Sequence, residues 1–115
     1  PEEVRWRNPA ELIVDSFDRT VRNHSGTRIT RVDAGGREIG ELFDRTMRYA
    51  PRPSPDGRWL ALTTMHEKTG KQRLEIYGFG SDDRLGEPRV FHELPPYNLA
   101  WSPDGRHIAV GVGVV

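Results

Sequence analysis

The sequence predicts an all-β fold built from repeated four-stranded antiparallel sheets, and three observations support this prediction. The pentapeptide SPDGR occurs at residues 54–58 and again at 102–106, which is 48 positions later in a chain of 115. An apolar segment of strand length follows each copy. The 12 glycines and 9 prolines separate short apolar runs, and this composition favours many strands and turns over long helices.

The chemistry of SPDGR predicts a β-hairpin turn. Proline fixes its own φ near the value that the second position of a turn requires. Aspartate forms hydrogen bonds to nearby backbone amides, and glycine accepts the positive φ that closes the turn. We therefore assign a structural role, and no catalytic role, to two sets of turn residues: Ser54, Pro55, Asp56, Gly57 and Ser102, Pro103, Asp104, Gly105.

A third, divergent copy of the repeat lies near the start of the chain. Trp6 aligns with Trp101, and Ile13 aligns with Leu60 and Ile108, at spacings of 47 and then 48 residues. Asn-Pro-Ala at residues 8–10 takes the place of Pro-Asp-Gly and still has the composition of a turn. The chain therefore contains an internal repeat with a period just under 50 residues.

Each period contains four segments with strand character. In the first unit they are residues 11–17, 27–32, 38–43 and 48–52; in the second they are 59–64, 73–79, 89–94 and 97–101. Four short antiparallel strands per period of this length are typical of a β-propeller blade. We therefore predict one propeller segment with blades at residues 10–50 and 51–97 and a partial blade at 98–115.

The segment LAWSPDGRHIAV at residues 99–110 resembles the PD40, or WD40-like, β-propeller repeat. This repeat builds the propellers of TolB-like proteins and of enzymes similar to prolyl-oligopeptidase and dipeptidyl-peptidase IV. Residues 54–62 and Glu75-Ile76-Tyr77 match it as well, whereas Pro53 and Asn8-Pro9-Ala10 depart from it. The resemblance covers nearly the whole chain, most strongly residues 53–115.

The resemblance implies a non-catalytic, TolB-like scaffold that binds a protein or peptide in the bacterial periplasm or another extracytoplasmic compartment. The alternative that it implies is the gating propeller of a serine peptidase whose catalytic domain lies outside this chain. Propellers usually have about four to eight blades, so we predict that these residues are a segment of a larger propeller with further blades in the same chain. The alternative is self-association through open sheet edges.

Other classes of function have little support in the sequence. The 17 basic and 17 acidic residues give a net charge of zero, and no cysteine is present. We therefore predict no nucleic-acid partner, no disulfide and no thiolate metal site. No long apolar run suggests membrane insertion. Neither the four histidines (His24, His66, His92, His107) nor Ser81 has the sequence context of a metal ligand or a nucleophile, so we predict no catalytic, metal or cofactor-binding residues.

The three tryptophans, Trp6, Trp59 and Trp101, are the largest apolar side chains. We expect them to pack between blades, since two of them recur at the period of the repeat. The charged loops at residues 19–27 and 66–71 are the first candidates for a binding surface, because propellers commonly bind through loops at the ends of their blades.

Overall fold

The computed structural model describes residues 3–16, 27–46, 48–65, 69–91 and 98–111. These residues form ten β-strands: β1 Glu3–Asn8, β2 Glu11–Ser16, β3 Thr27–Asp33, β4 Glu38–Thr46, β5 Arg48–Pro53, β6 Trp59–Met65, β7 Gln72–Gly78, β8 Arg89–Phe91, β9 Asn98–Trp101 and β10 Ile108–Gly111. Over these ranges the chain forms no helix, and hence none that is long and apolar enough to cross a bilayer.

The strands form three antiparallel sheets. The first sheet has the order β1-β2-β3-β4, the second β5-β6-β7-β8, and the third is the pair β9-β10. Strands that are consecutive in the chain are therefore adjacent within each sheet, as short hairpin connections dictate. This arrangement confirms the predicted all-β class and the four-stranded antiparallel sheets.

The sheets are out of phase with the units that we drew on the sequence. We placed residues 48–52 as the last strand of the first unit, but β5 pairs with β6 in the second sheet. In the same way β9 pairs with β10 in the third sheet. The physical reason is that the SPDGR turn joins β5 and β6 as a hairpin, so its two flanking strands must share one sheet.

The two SPDGR turns have the same hydrogen bonds. The amide of Gly57 donates to the carbonyl of Ser54 at 2.9 Å, and Gly105 donates to Ser102 at the same distance. Both glycines have a φ of 72°, a conformation that residues with a Cβ rarely adopt. The Ser54 hydroxyl donates to Asp56 Oδ1 at 2.6 Å and accepts the amide of Trp59 at 3.0 Å.

Each SPDGR glycine also lies against the sheet that precedes it. A Cβ added to Gly57 would come within 3.0 Å of the Arg7 carbonyl oxygen, and one added to Gly105 would come within 3.0 Å of Asp56 Oδ2. Gly57 therefore contacts the end of β1, and Gly105 contacts the turn that follows β5. These close approaches link the turns of successive sheets.

The first hairpin has a different register from the other two. Trp6 pairs with Leu12, whereas Trp101 pairs with Ile108. With the tryptophans superimposed, Leu12 and not Ile13 therefore occupies the place of Ile108, and our alignment of Ile13 was wrong by one residue. The turn at residues 9–10 is shorter than an SPDGR turn and is accompanied by a bulge in β1. A slip of one residue moves a side chain to the opposite face of its sheet.

The main hydrophobic core lies between the first and second sheets. Its fully buried members come from both sheets, and the Phe43 and Tyr77 rings meet edge to face with centroids 5.3 Å apart. The buried residues are Ile13, Ile29, Leu60, Leu62 and Tyr77, and Leu42, Phe43, Phe79 and Leu85 pack around them. Burial of this apolar area is the principal favourable term that holds the two sheets together.

Candidate functional site

The first strands of the three sheets, β1, β5 and β9, lie side by side and enclose an open cleft of about 350 Å³. We call it the inner cleft. Its lining combines arginine side chains with tryptophan, proline and leucine: Arg5, Trp6, Arg7, Asn8, Arg52, Pro53, Ser54, Pro55, Leu99 and Trp101. The cleft is formed where three sheets converge, so its walls belong to strands and not to long loops.

Trp101 forms part of the apolar wall of the inner cleft, and a hydrogen bond to the neighbouring sheet holds its side chain in place. Its indole Nε1–H donates to the carbonyl oxygen of Arg52 at 2.7 Å, which ties β9 to β5. Leu99 lies two residues earlier on the same strand and therefore on the same face. Together with Pro53 these side chains give the cleft an apolar side whose geometry is set by a hydrogen bond between two sheets.

The three tryptophans that we expected to pack between blades have different environments. Trp101 is half-buried and bonded to the neighbouring sheet. Trp6 is 61% exposed and Trp59 is 40% exposed, so for these two the packing between blades stays a prediction. Trp6 pairs with Leu12, on the face of the first sheet opposite to the one that Ile13 buries against the second sheet. Trp59 lies over Gly78, where an added Cβ would be 3.2 Å from the ring.

The polar side of the cleft carries positive charge. Arg52 Nη1 is 2.8 Å from Glu3 Oε2, and this hydrogen bond is the main reason that the pKa of Glu3 lies below its ordinary value. Arg5 is exposed and lines the cleft beside this ion pair. A cation at the edge of an apolar cleft attracts carboxylate groups and orients what enters.

Arg7 lines the cleft but is held by the fold. Its guanidinium lies 2.7 Å from Glu11 Oε2 and 3.0 Å from Asp83 Oδ1, and its Nε donates to the Gly57 carbonyl at 2.9 Å. The guanidinium carbon also lies 3.7 Å from the centroid of the Phe79 ring, a cation–π contact. Arg7 therefore joins the first sheet to the second and supports the cleft wall.

Arg31 completes this buried ion cluster. Its Nη2 is 2.6 Å from Glu11 Oε1 and 3.3 Å from Asp83 Oδ2. Burial alone would raise the pKa of Glu11, but the hydrogen bonds from Arg31 and Arg7 outweigh it and leave that pKa lowered. Glu11 is consequently a permanent anion at neutral pH. We call Arg7, Glu11, Arg31 and Asp83 the inter-sheet ion cluster.

The other residues singled out in the sequence lie away from the inner cleft or outside the described residues. His24, His66, His92 and most of the two candidate loops belong to the latter group, whereas His107 and Ser81 are exposed. Within the described ranges, His, Asp and Glu side chains form no group of three that could hold a metal ion. Of the turn residues, Ser54 and Pro55 line the cleft.

Sequence reasoning missed the arginines of the cleft, although a signal for them exists. Arg5 and Arg52 are 47 residues apart, which is the period of the repeat, and so occupy equivalent places on β1 and β5. The inter-sheet ion cluster had a weaker signal: Arg7 stands where the SPDGR copies have Ser54 and Ser102. A departure from a repeated motif can mark a contact that only one copy makes.

The chain matches no protein-family model and no solved structure.

Proposed function

We propose that this chain is part of a non-catalytic β-propeller scaffold of the PD40, TolB-like type, and that its inner cleft binds an extended segment of a protein partner. The observation that carries the proposal is the convergence of β1, β5 and β9 around an accessible apolar and cationic cleft. The sequence resemblance supports the propeller assignment and an extracytoplasmic, periplasmic location.

The dimensions and chemistry of the cleft favour a peptide segment. Its volume of about 350 Å³ is at the small end of the range for ligand sites, which suits one or two side chains of an extended chain. Trp101, Pro53 and Leu99 offer a surface for an aliphatic side chain or a proline. Arg5 supplies a cation for a carboxylate on the same segment.

The polar groups of the cleft favour binding over chemistry. The hydroxyl of Ser54 is already used inside its turn, where it donates to Asp56 and accepts from Trp59. A serine nucleophile needs a neighbouring general base, and Ser54 has a carboxylate that serves as a turn acceptor with a lowered pKa. The guanidinium groups of the cleft are hydrogen-bond donors without an acceptor and supply no general base.

A peptide-display selection tests the proposal. Random peptides are selected on the wild-type chain and then titrated against Leu99→Arg, which fills the apolar wall of the cleft with a charged side chain. We expect peptides that contain an aliphatic residue or proline near an acidic residue, and a loss of at least tenfold in affinity for Leu99→Arg. Ile39→Arg is the matched control, since Ile39 is an exposed apolar residue on β4 outside the cleft.

Two outcomes would contradict this function. One is a selection that enriches no peptide over background. The other is a set of peptides that bind Leu99→Arg as tightly as they bind the wild type and the Ile39→Arg control. A further variant, Arg5→Glu, should weaken acidic peptides more than it weakens neutral ones, because it reverses the charge at the edge of the cleft.

A further inference from the structure

The first sheet has an apolar face that points away from the second sheet. Strand pairing places Val4 opposite Val14 and Trp6 opposite Leu12, so these four side chains share one face. Val4 is 55% exposed and Trp6 is 61% exposed. We call this surface the outer face; it is made of Val4, Trp6, Leu12, Val14 and, on β3, Val32.

The corresponding face of the second sheet is covered. Leu60, which pairs with Tyr77, and Leu62 are both fully buried, because the first sheet packs on them. At its far end this face carries an ion pair between Arg48 and Glu75 at 3.2 Å. It is therefore an apolar patch bordered by charge, the layout of a protein interface.

The outer face of the first sheet repeats this layout. Its apolar patch is bordered by Arg28, whose guanidinium lies 2.7 Å from Glu38 and 2.8 Å from Glu41. These charged residues share the face with Val32, because Glu38 pairs with Val32 across β3 and β4. On the second sheet, the first sheet covers this kind of charge-bordered apolar patch. On the first sheet, the corresponding patch is left partly exposed.

The contact between the second and third sheets shows which surface fits this face. Trp101, the repeat equivalent of Trp6, donates its indole N–H to the carbonyl of Arg52. Arg52 pairs with Ala61, which is fully buried. One period later, Ala100 pairs with Ala109 on the third sheet, and both alanines are exposed. We call this pair the alanine seat.

We infer that a second copy of this chain binds the outer face, with Trp6 of one copy lying on the alanine seat of the other. The indole N–H of Trp6 then donates to the carbonyl oxygen of Ala100, as Trp101 does to Arg52 within one chain. Small side chains at Ala100 and Ala109 leave the space that an indole ring needs. The first sheet of one copy then packs on the third sheet of the other copy, in the way that successive sheets pack within one chain.

This contact is head-to-tail, because the outer face and the alanine seat are different surfaces. Head-to-tail contacts form rings when the rotation closes and filaments when it does not. The described residues of one chain form three sheets, so those of two copies bring six into a ring. Rings of roughly four to eight sheets are the ones that close in propellers. A closed pair with two equivalent contacts is therefore the expected assembly.

Light scattering coupled to gel filtration of the full chain tests this inference. We expect the wild type to have twice the 13.1 kDa mass of one chain. Val4→Lys on the outer face and Ala109→Glu on the alanine seat should each give the mass of one chain. Ala34→Glu is the matched control, because Ala34 is an exposed alanine in the β3–β4 turn, and it should remain a pair.

Mixing the two interface variants distinguishes a head-to-tail contact from a symmetric one. The Val4→Lys chain has an unchanged alanine seat, and the Ala109→Glu chain has an unchanged outer face. These two surfaces can bind each other, so the mixture should regain the mass of a pair. Circular dichroism of each variant verifies that it is folded. A wild type that has the mass of one chain at every concentration overturns the inference. So does an Ala109→Glu variant that remains a pair, since two outer faces would then bind each other.

Discussion

Gly57 and Gly105 are the residues at which the repeat is most constrained. Each combines a positive φ with a close approach to the preceding sheet, at the Arg7 carbonyl oxygen and the Asp56 carboxylate respectively. Gly70 also has a positive φ, of 69°, but an added Cβ there would meet nothing within 4 Å. The two effects, backbone strain and steric contact, can therefore be separated by experiment.

We expect Gly57→Ala to destabilise the protein more than Gly70→Ala does. Both variants incur the cost of a side chain at positive φ, about 1–2 kcal/mol, and only Gly57→Ala adds a contact at 3.0 Å with the backbone of β1. The measurement is the urea midpoint of each variant. Equal midpoints for the two variants would show that the approach of Gly57 to Arg7 is looser than the structure has it.

The hydroxyl of Ser54 should also contribute to stability. It is 1% exposed, and its hydroxyl accepts the amide of Trp59. Ser54→Ala leaves that partly buried amide without its acceptor and should cost about 1–3 kcal/mol of unfolding free energy. Ser102→Ala removes the same bond from an exposed turn and should cost less. Thermal melts of the two variants provide the comparison, and a larger loss for Ser102→Ala would contradict it.

The turns could be predicted from single residues, because each residue of Pro-Asp-Gly has a local reason to be there. The role of Arg7 could not. Its partners Glu11, Gly57 and Asp83 are 4, 50 and 76 residues away in the sequence. Only the packing of two sheets brings them to one guanidinium.

At the scale of elements, the inter-sheet ion cluster fastens β1, β2 and β3 to the loop that follows β7. Glu11 is 6% exposed and accepts hydrogen bonds from both Arg7 and Arg31. Its pKa is lowered in the folded state, so its charge stabilises the fold above the ordinary value of 4.5. This contribution is lost as the pH falls through the folded-state pKa.

We therefore expect Glu11→Gln to reduce the free energy of unfolding at pH 7 by about 2 kcal/mol or more. The difference from the wild type should narrow as the pH falls below 4.5, because the wild-type carboxyl also becomes neutral. Urea titrations across this pH range measure both quantities. Glu38→Gln is the control, since Glu38 is paired with Arg28 at an exposed site where ion pairs contribute little. A pH-independent difference would show that the Glu11 charge is not what matters.

The strands themselves were largely predictable, but their register and grouping were only partly so. Short apolar segments between turn residues located β2, β6 and β7, and only the β7 segment alternates. The sequence could not show that the turn at residues 9–10 is shorter than an SPDGR turn, because the bulge in β1 is a feature of backbone pairing. Nor could a period of 47 or 48 residues show where one sheet stops, because a period has no starting point.

For the whole molecule, the core between the first two sheets couples their stabilities. Ile29 on β3 and Leu60 on β6 belong to one buried cluster. Ile29→Ala should therefore cost about 2–5 kcal/mol and should accelerate hydrogen exchange of β6 and β7 amides as well as those of its own sheet. Exchange measured by NMR gives the result residue by residue. Acceleration confined to the first sheet would mean that the two sheets open independently.

The contacts between successive turns have a consequence for how such a chain can lengthen. Gly105 lies on the Asp56 carboxylate, and both residues belong to copies of the same pentapeptide. A gene segment of one period encodes an aspartate that contacts the glycine of the next copy and a glycine that contacts the aspartate of the previous copy. Each tandem duplication therefore adds a unit that already has the residues for both contacts. In the first copy, Arg7 stands in place of the serine of SPDGR and has its own acidic partners, so this copy differs from the other two at that contact.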